Sequence, residues 1–299
     1  MGILLKGAGA FYFCGAARTD PQAPITSGTI FGLGSVTKTV TSTLLVYQTL
    51  AAASRFTLDD PVTRHLPPQV GKKGSDINKV TLWELASHTA SFPHASGIVG
   101  AQLFMDQAPP RDLIAFWEHF HAPKGDSPGT QYLYSDLGFI TLGYAVAGNG
   151  YNTLLMSTIT QPLGLSRFGS AARIPNGAPY AQGHLDQNGQ TVAVKGLNTD
   201  LMASPADCLT YLKAHMGLLQ IPPTLSKAMT LTHQKVFSTP ASTPINLGLS
   251  WQLQKAPPNM IDKDGATSKG GCKSGKRREM DTNYLGAYDV ITAFVPVVE

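Results

Sequence analysis

Charge is scarce in this chain. Only 14% of its 299 residues are charged, against 42% apolar, and the formal net charge is +4. No interleaved basic and aromatic pattern is present, so a nucleic-acid surface is not expected. Cysteine is scarcer still: Cys14, Cys208 and Cys272 show no Cys-x-x-Cys spacing, which argues against a disulfide framework or a zinc site. Each reads as a small buried apolar residue. The eight histidines lack metal-ligand spacing of the His-Glu-x-x-His kind. No apolar run approaches the length of a membrane span. The opening Met1-Gly2-Ile3-Leu4-Leu5-Lys6 is too short for a signal-peptide core, and the compartment is left open. No internal repeat or low-complexity tract is found.

What remains is an ordinary globular composition with enough chain for one large domain or two intimately joined ones. Residues 1–18 read as a two-stranded hairpin, and 19–28 as a loop. A helix starts near Ser35 and runs to about Ala53, carrying Val40, Leu44 and Leu45 on its apolar face. A second helix covers Val80 to His88, with Glu84 placed to close a capping box on Thr81. Arg111 to His121 is amphipathic, and Leu137 to Ala147 is apolar and helical. Ser204-Pro205-Ala206-Asp207 opens a helix through about Met216, with serine at the cap, proline at the first position and acid in the first turn. Gly217 is placed to end it. Asn246 to Leu253 alternates like a strand, and the apolar run Val290 to Val298 suits another.

The stretch with chemistry in it is Gly34-Ser35-Val36-Thr37-Lys38. On a helix, positions three apart share a face, so the Ser35 hydroxyl and the Lys38 amine are expected to be neighbours. A serine becomes a nucleophile when a nearby base takes its proton. A lysine in a poorly solvated, cation-rich pocket can lose its own proton and do so. The helix start adds free backbone N–H groups suited to an oxyanion. Ser-x-x-Lys by itself is common, and a serine at a helix start is often a simple cap; its weight comes from what accompanies it.

Two further elements follow in order, Tyr134-Ser135-Asp136 and the late Ser268-Lys269-Gly270-Gly271. A Ser-x-x-Lys helix, a Tyr-x-Asn-type loop and a Lys-Thr-Gly-type strand together resemble the penicillin-recognising serine hydrolases. With tyrosine leading the second motif, the chain is similar to the class C β-lactamase branch, which includes D-Ala-D-Ala peptidases and esterases of similar fold. Leu58-Asp59-Asp60-Pro61-Val62, Thr81 to Ala90 and Gly248-Leu249-Ser250-Trp251 extend the likeness, which covers roughly residues 3 to 271.

The resemblance implies an α+β, β-lactamase/D,D-peptidase-like fold. An antiparallel sheet flanked by helices would form from residues 1–55 and 240–299, with a mainly helical region from 56 to 239. It implies acyl transfer to Ser35 and then hydrolysis, on a small-molecule β-lactam, ester or D-Ala peptide, with no metal or organic cofactor. Lys38 would be the near base and Tyr134 the proton relay. Lys269 would bind a substrate carboxylate or the tyrosine oxygen, followed by Gly270 and Gly271. The oxyanion hole would take the backbone N–H groups of Ser35 and Cys272. Asp136 stands where such enzymes usually carry asparagine. A carboxylate cannot donate to a lactam side-chain carbonyl as an amide can, which leans toward an esterase or peptidase. A homologue that binds ligand without turnover is the contrasting reading. His88 and His94 read as structural or rim residues.

Relatives start with a helix before the first strand and end on a long helix that covers the sheet. Here Cys272 to Met280 is basic and polar. Uncovered apolar surface forfeits about 25 cal/mol per Å², so a partner subunit, making a homo-oligomer, or rearranged local segments are expected to cover it.

Overall fold

The computed structural model describes residues 2–5, 8–19, 21–52, 56–71, 74–94, 108–182, 184–187, 190–193, 201–242, 244–254, 260–266 and 289–294. In chain order the first elements are β1 (Gly2–Leu5), β2 (Ala8–Phe11), β3 (Ala16–Thr19), β4 (Gln22–Pro24) and β5 (Phe31–Gly32). A helical stretch follows with α1 (Thr37–Leu50), α2 (Leu82–Ala86), α3 (Arg111–His119), α4 (Asp136–Ala147) and α5 (Tyr151–Leu155). Then come β6 (Phe168–Gly169), β7 (His184–Gln187), β8 (Gln190–Ala193), β9 (Met202–Ala203), α6 (Pro205–His215) and α7 (Pro223–Thr232). The chain closes with β10 (Phe237–Ser238), β11 (Asn246–Leu247), β12 (Gln252–Gln254), β13 (Met260–Ala266) and β14 (Asp289–Phe294). Among the described residues, no helix is long and apolar enough to cross a membrane.

The centre of the molecule is α1. Every residue from Thr37 to Val46 is buried, threonines included. Threonine is a poor helix former unless its hydroxyl is satisfied. Here Thr39 and Thr43 donate back to the carbonyls of Val36 and Thr39 at 2.8 and 2.9 Å, and Thr41 bonds the Tyr151 hydroxyl at 2.8 Å. Val40, Leu44 and Leu45 have no exposed surface and join one hydrophobic cluster with Leu142, Tyr211, Leu225 and Leu249. That cluster ties α1 to α4 and α7, so the nucleophile helix is held on several sides.

Strands β10 to β14 form an antiparallel sheet in sequential order. The N-terminal hairpin β1–β2 makes a two-stranded sheet of its own beside α6. A Cβ added at Gly9 would lie 2.7 Å from Leu209. The segment read as a loop after Ala16–Thr19 instead folds back as β4 onto β3. The strand expected over 246–253 is broken into β11 and β12 by a tight reversal. Gly248 donates to the Trp251 carbonyl at 2.9 Å, and Ser250 takes a left-handed φ of 69°. Only glycine fits at 248, because a Cβ would meet the Thr232 carbonyl oxygen at 2.4 Å. The α4 and α6 starts follow their caps: Ser135 accepts from Gly138 N–H at 2.9 Å and Ser204 from Asp207 N–H at 3.1 Å. Glu84 accepts the Thr81 backbone N–H at 2.7 Å.

Beneath the sheet, His215 and His233 share a ring-to-ring hydrogen bond of 2.9 Å against Trp251. Such a bond needs one nitrogen to accept, so the two rings cannot both be protonated. Burial, and then the neighbouring His233, pushes His215 well below its ordinary value of 6.5; burial takes His233 down to about 4. Between 6.5 and about 4 the unfolded chain therefore binds protons that the native chain refuses. Stability is full above that window and falls as pH drops through it, by about 1.4 kcal/mol per pH unit for each histidine. Urea midpoints measured from pH 7.5 down to 4.5 are expected to decline below pH 6.5; a flat profile would contradict the pairing.

Candidate active site

A short 3-10 turn, Gly34–Val36, delivers Ser35 into the first turn of α1, with Gly34 at a left-handed φ of 50°. Leu33 N–H donates to the Leu201 carbonyl at 2.8 Å, and Leu201 N–H donates to the Thr37 hydroxyl at 3.2 Å. The turn is thereby pinned to β9 and its flank. Lys38 Nζ then reaches Ser35 Oγ at 3.0 Å. On the other side, Ser35 Oγ is hydrogen-bonded to the Tyr134 hydroxyl.

Tyr134 is brought there by a clamp of two loops. Gly129 N–H donates to the Thr89 carbonyl at 2.7 Å, Leu133 N–H to His88 at 2.8 Å, and Asp136 N–H to His94 at 3.0 Å. Ser135 adds a hydroxyl bond to the Pro93 carbonyl at 2.6 Å. The segment just after α2 thus cradles the segment just before α4.

Asp136 is the first residue of α4. Its carboxylate pairs with Lys38 Nζ at 2.5 Å, with 8% of the lysine side chain and 32% of the aspartate side chain exposed. Burial alone would lower the Lys38 pKa, but attraction to the Tyr134 oxygen and the Asp136 carboxylate outweighs it and holds the ammonium protonated. The sequence expectation was a lysine that gives up its proton; an aspartate against it has the opposite effect. Burial raises the carboxylate in turn, yet Lys38, then His94 and Lys263, keep it below the usual range.

The third side is lined by β13, which packs against the Ser35 turn. From it, Lys263, only 3% exposed, lies over the Tyr134 ring with Nζ 4.8 Å from the centroid. Lys38 Nζ is 5.0 Å from the same centroid. Two lysine ammonium groups therefore stand over the phenol ring. Lys269, Gly270, Gly271 and Cys272, and with Cys272 the expected second oxyanion N–H, lie outside the described residues. The motif order did not single out Lys263, although Lys263-Asp264-Gly265 has the same Lys-x-Gly form six positions before Lys269.

A surface cleft of about 560 Å³ runs past Tyr132, lined by Ser127, Thr130, Gln131, Thr239 and Pro240 among others, without a charged side chain. It does not reach Ser35 itself, so the nucleophile's surroundings rest on the contacts above.

Several known proteins resemble this chain. The profile of the family described as "Beta-lactamase" matches residues 4–279. A β-lactamase of Pseudomonas fluorescens is 27% identical over 268 residues, covering 85% of this chain and 69% of the relative. The D-alanyl-D-alanine-carboxypeptidase/endopeptidase AmpH of Escherichia coli is 31% identical over 137 residues, covering 44% of this chain and 34% of the relative. For the β-lactamases of Lysobacter lactamgenus and Providencia stuartii the chain spans 63% and 60% of their length. The crystal structure of a class C β-lactamase from Rhodobacter sphaeroides superposes with a TM-score of 0.74 at 23% identity, over 89% of this chain and 82% of that one, which establishes the shared fold.

Proposed function

The chain belongs to the β-lactamase family, and on that premise we propose that it is a serine hydrolase that forms an acyl-enzyme at Ser35 with a β-lactam or a related ester or amide. One observation carries the proposal: Ser35 Oγ lies between Lys38 Nζ and the Tyr134 hydroxyl. A protonated Lys38 has no lone pair to offer, so it donates to Ser35 Oγ and leaves the serine O–H directed at the Tyr134 oxygen. In its phenolate form Tyr134 takes the Ser35 proton during attack, becoming a neutral phenol, and gives that proton to the leaving group. Lys38 and Lys263 supply the positive field that the transferred charge needs. In this reading Lys263 takes the place that the motif order gave to Lys269.

Asp136 supports an ester as the better substrate. It holds Lys38 instead of presenting an amide donor to a lactam side chain. A D-Ala peptide is the other reading, motivated by the peptidase among the relatives. Turnover of nitrocefin and of a p-nitrophenyl ester by the wild type and by Asp136→Asn tests the proposal. The wild type is expected to favour the ester. The variant is expected to move the ratio toward nitrocefin by about tenfold, the worth of one added hydrogen bond. Intact-mass spectra should show a transient acyl adduct on the peptide that contains Ser35. A protein that turns over neither substrate and carries no adduct would end this reading.

A further inference from the structure

We propose that His88 is a positioning residue for the Tyr134 phenol, holding it at Ser35 by stacking on its ring. The proposal rests on the reading of Ser35 and Tyr134 given above and adds a residue that the motif order does not contain.

Three consecutive residues of the Tyr134 loop are gripped by His88 alone. Its carbonyl accepts the Leu133 N–H at 2.8 Å. Its ring stacks on the Tyr134 ring, with centroids 4.3 Å apart and planes inclined by 29°. Its Nδ1 accepts the Ser135 N–H at 3.1 Å. Ser135 in turn caps α4, whose first residue Asp136 pairs with Lys38. The other bonds from this segment, at Thr89, Pro93 and His94, use main-chain carbonyls that any side chain would leave in place. At 88 the side chain itself is required.

The geometry at 88 is specialised in two further ways. The backbone takes φ 61°, a left-handed conformation in which histidine and asparagine are enriched among residues with a Cβ. The ring is also boxed in, edge-on to Tyr132 at 5.9 Å and tilted against Phe139 at 4.9 Å, so it has no room to swing away. Because Nδ1 accepts, the neutral ring carries its proton on Nε2, which is buried and has no hydrogen-bond partner among the described residues. Burial, and then the charges of Lys263, Lys38 and His94, keep the imidazole neutral. A charged ring would forfeit the Ser135 bond. His88 thus serves as an uncharged platform in a cationic pocket: it fixes the phenol without competing for its proton.

Misplacing a reacting group by about 1 Å costs about 100-fold in rate. Two variants separate the handholds. His88→Asn keeps an acceptor and tolerates the left-handed backbone but removes the stacked ring; His88→Phe keeps the ring and removes the acceptor. Each is made in the wild-type and in the Tyr134→Phe background. All are checked by circular dichroism for a folded state at the assay temperature. The readouts are kcat and KM for whichever of nitrocefin and the p-nitrophenyl ester is turned over, and the rate of Ser35 labelling by a fluorophosphonate. Each variant is expected to lower kcat and labelling by about 100-fold in the wild-type background with KM within about threefold. In the Tyr134→Phe background neither should add a further loss, since residues acting as one unit are not additive. Equal losses in both backgrounds, or full activity in both variants, would overturn the role of His88 while leaving Ser35 in place. A wild type whose Ser35 neither turns over substrate nor labels would overturn the reading of the site itself, and the role of His88 with it.

Discussion

Ser35→Ala is expected to lower turnover of both ester and lactam by about 10⁴-fold or more, as loss of a nucleophile does in other acyl-transfer enzymes. The expectation follows from position. Ser35 Oγ is the atom shared by the ammonium of Lys38 and the phenol of Tyr134, and no other hydroxyl is bonded to both among the described residues. Ser35 is only partly buried and caps nothing through its side chain. Its removal should therefore leave the unfolding midpoint within the small range of ordinary surface changes, about 0.5 kcal/mol. Steady-state kinetics together with a thermal melt check both halves. Retained activity in a folded variant would remove Ser35 from the mechanism.

Lys263→Ala is expected to cost about 10²- to 10³-fold in kcat/KM, the range seen when one preorganised donor to a developing charge is deleted. Lys263 lies on β13, buried, with its ammonium over the phenol ring. Deleting it removes one of the two lysine ammonium groups that lie over that ring among the described residues, and takes nothing from the Ser35 hydrogen bonds. Lys269→Ala made in parallel decides between the two Lys-x-Gly stretches. A loss in kcat/KM confined to Lys263→Ala places the third side of the site on β13; a loss confined to Lys269→Ala would move it back to the position that the motif order first suggested.

Much of the helical framework was legible because its signals are local. Ser204 with Pro205 and Asp207, Glu84 reaching back to Thr81, and the apolar run of α4 each act within a turn or two of chain. Ser35 and Lys38 were legible for the same reason, being one helical turn apart. The parts that escaped depend on encounters across the chain. Nothing near Asp136 says that its carboxylate turns to Lys38, 98 residues away. Nothing in the alternation of Asn246 to Leu253 says that the Thr232 carbonyl crowds Gly248 and forces a reversal there. His88 looked like a rim residue because its partners lie on a loop more than forty positions later. Nothing near Lys263 says that its strand packs against the Ser35 turn, far earlier in the chain.

The three sides of the site come from widely separated stretches: Ser35 and Lys38 at the start of α1, Tyr134 before α4, and Lys263 on β13. Strand β13 is held by pairing with β12 and β14 and by packing on the Ser35 turn. A nascent polypeptide emerging from the ribosome would carry its serine and tyrosine long before the last cation arrives. Chemical competence should thus switch on late in synthesis, and a reagent that acylates Ser35 would serve as a gauge of completed folding.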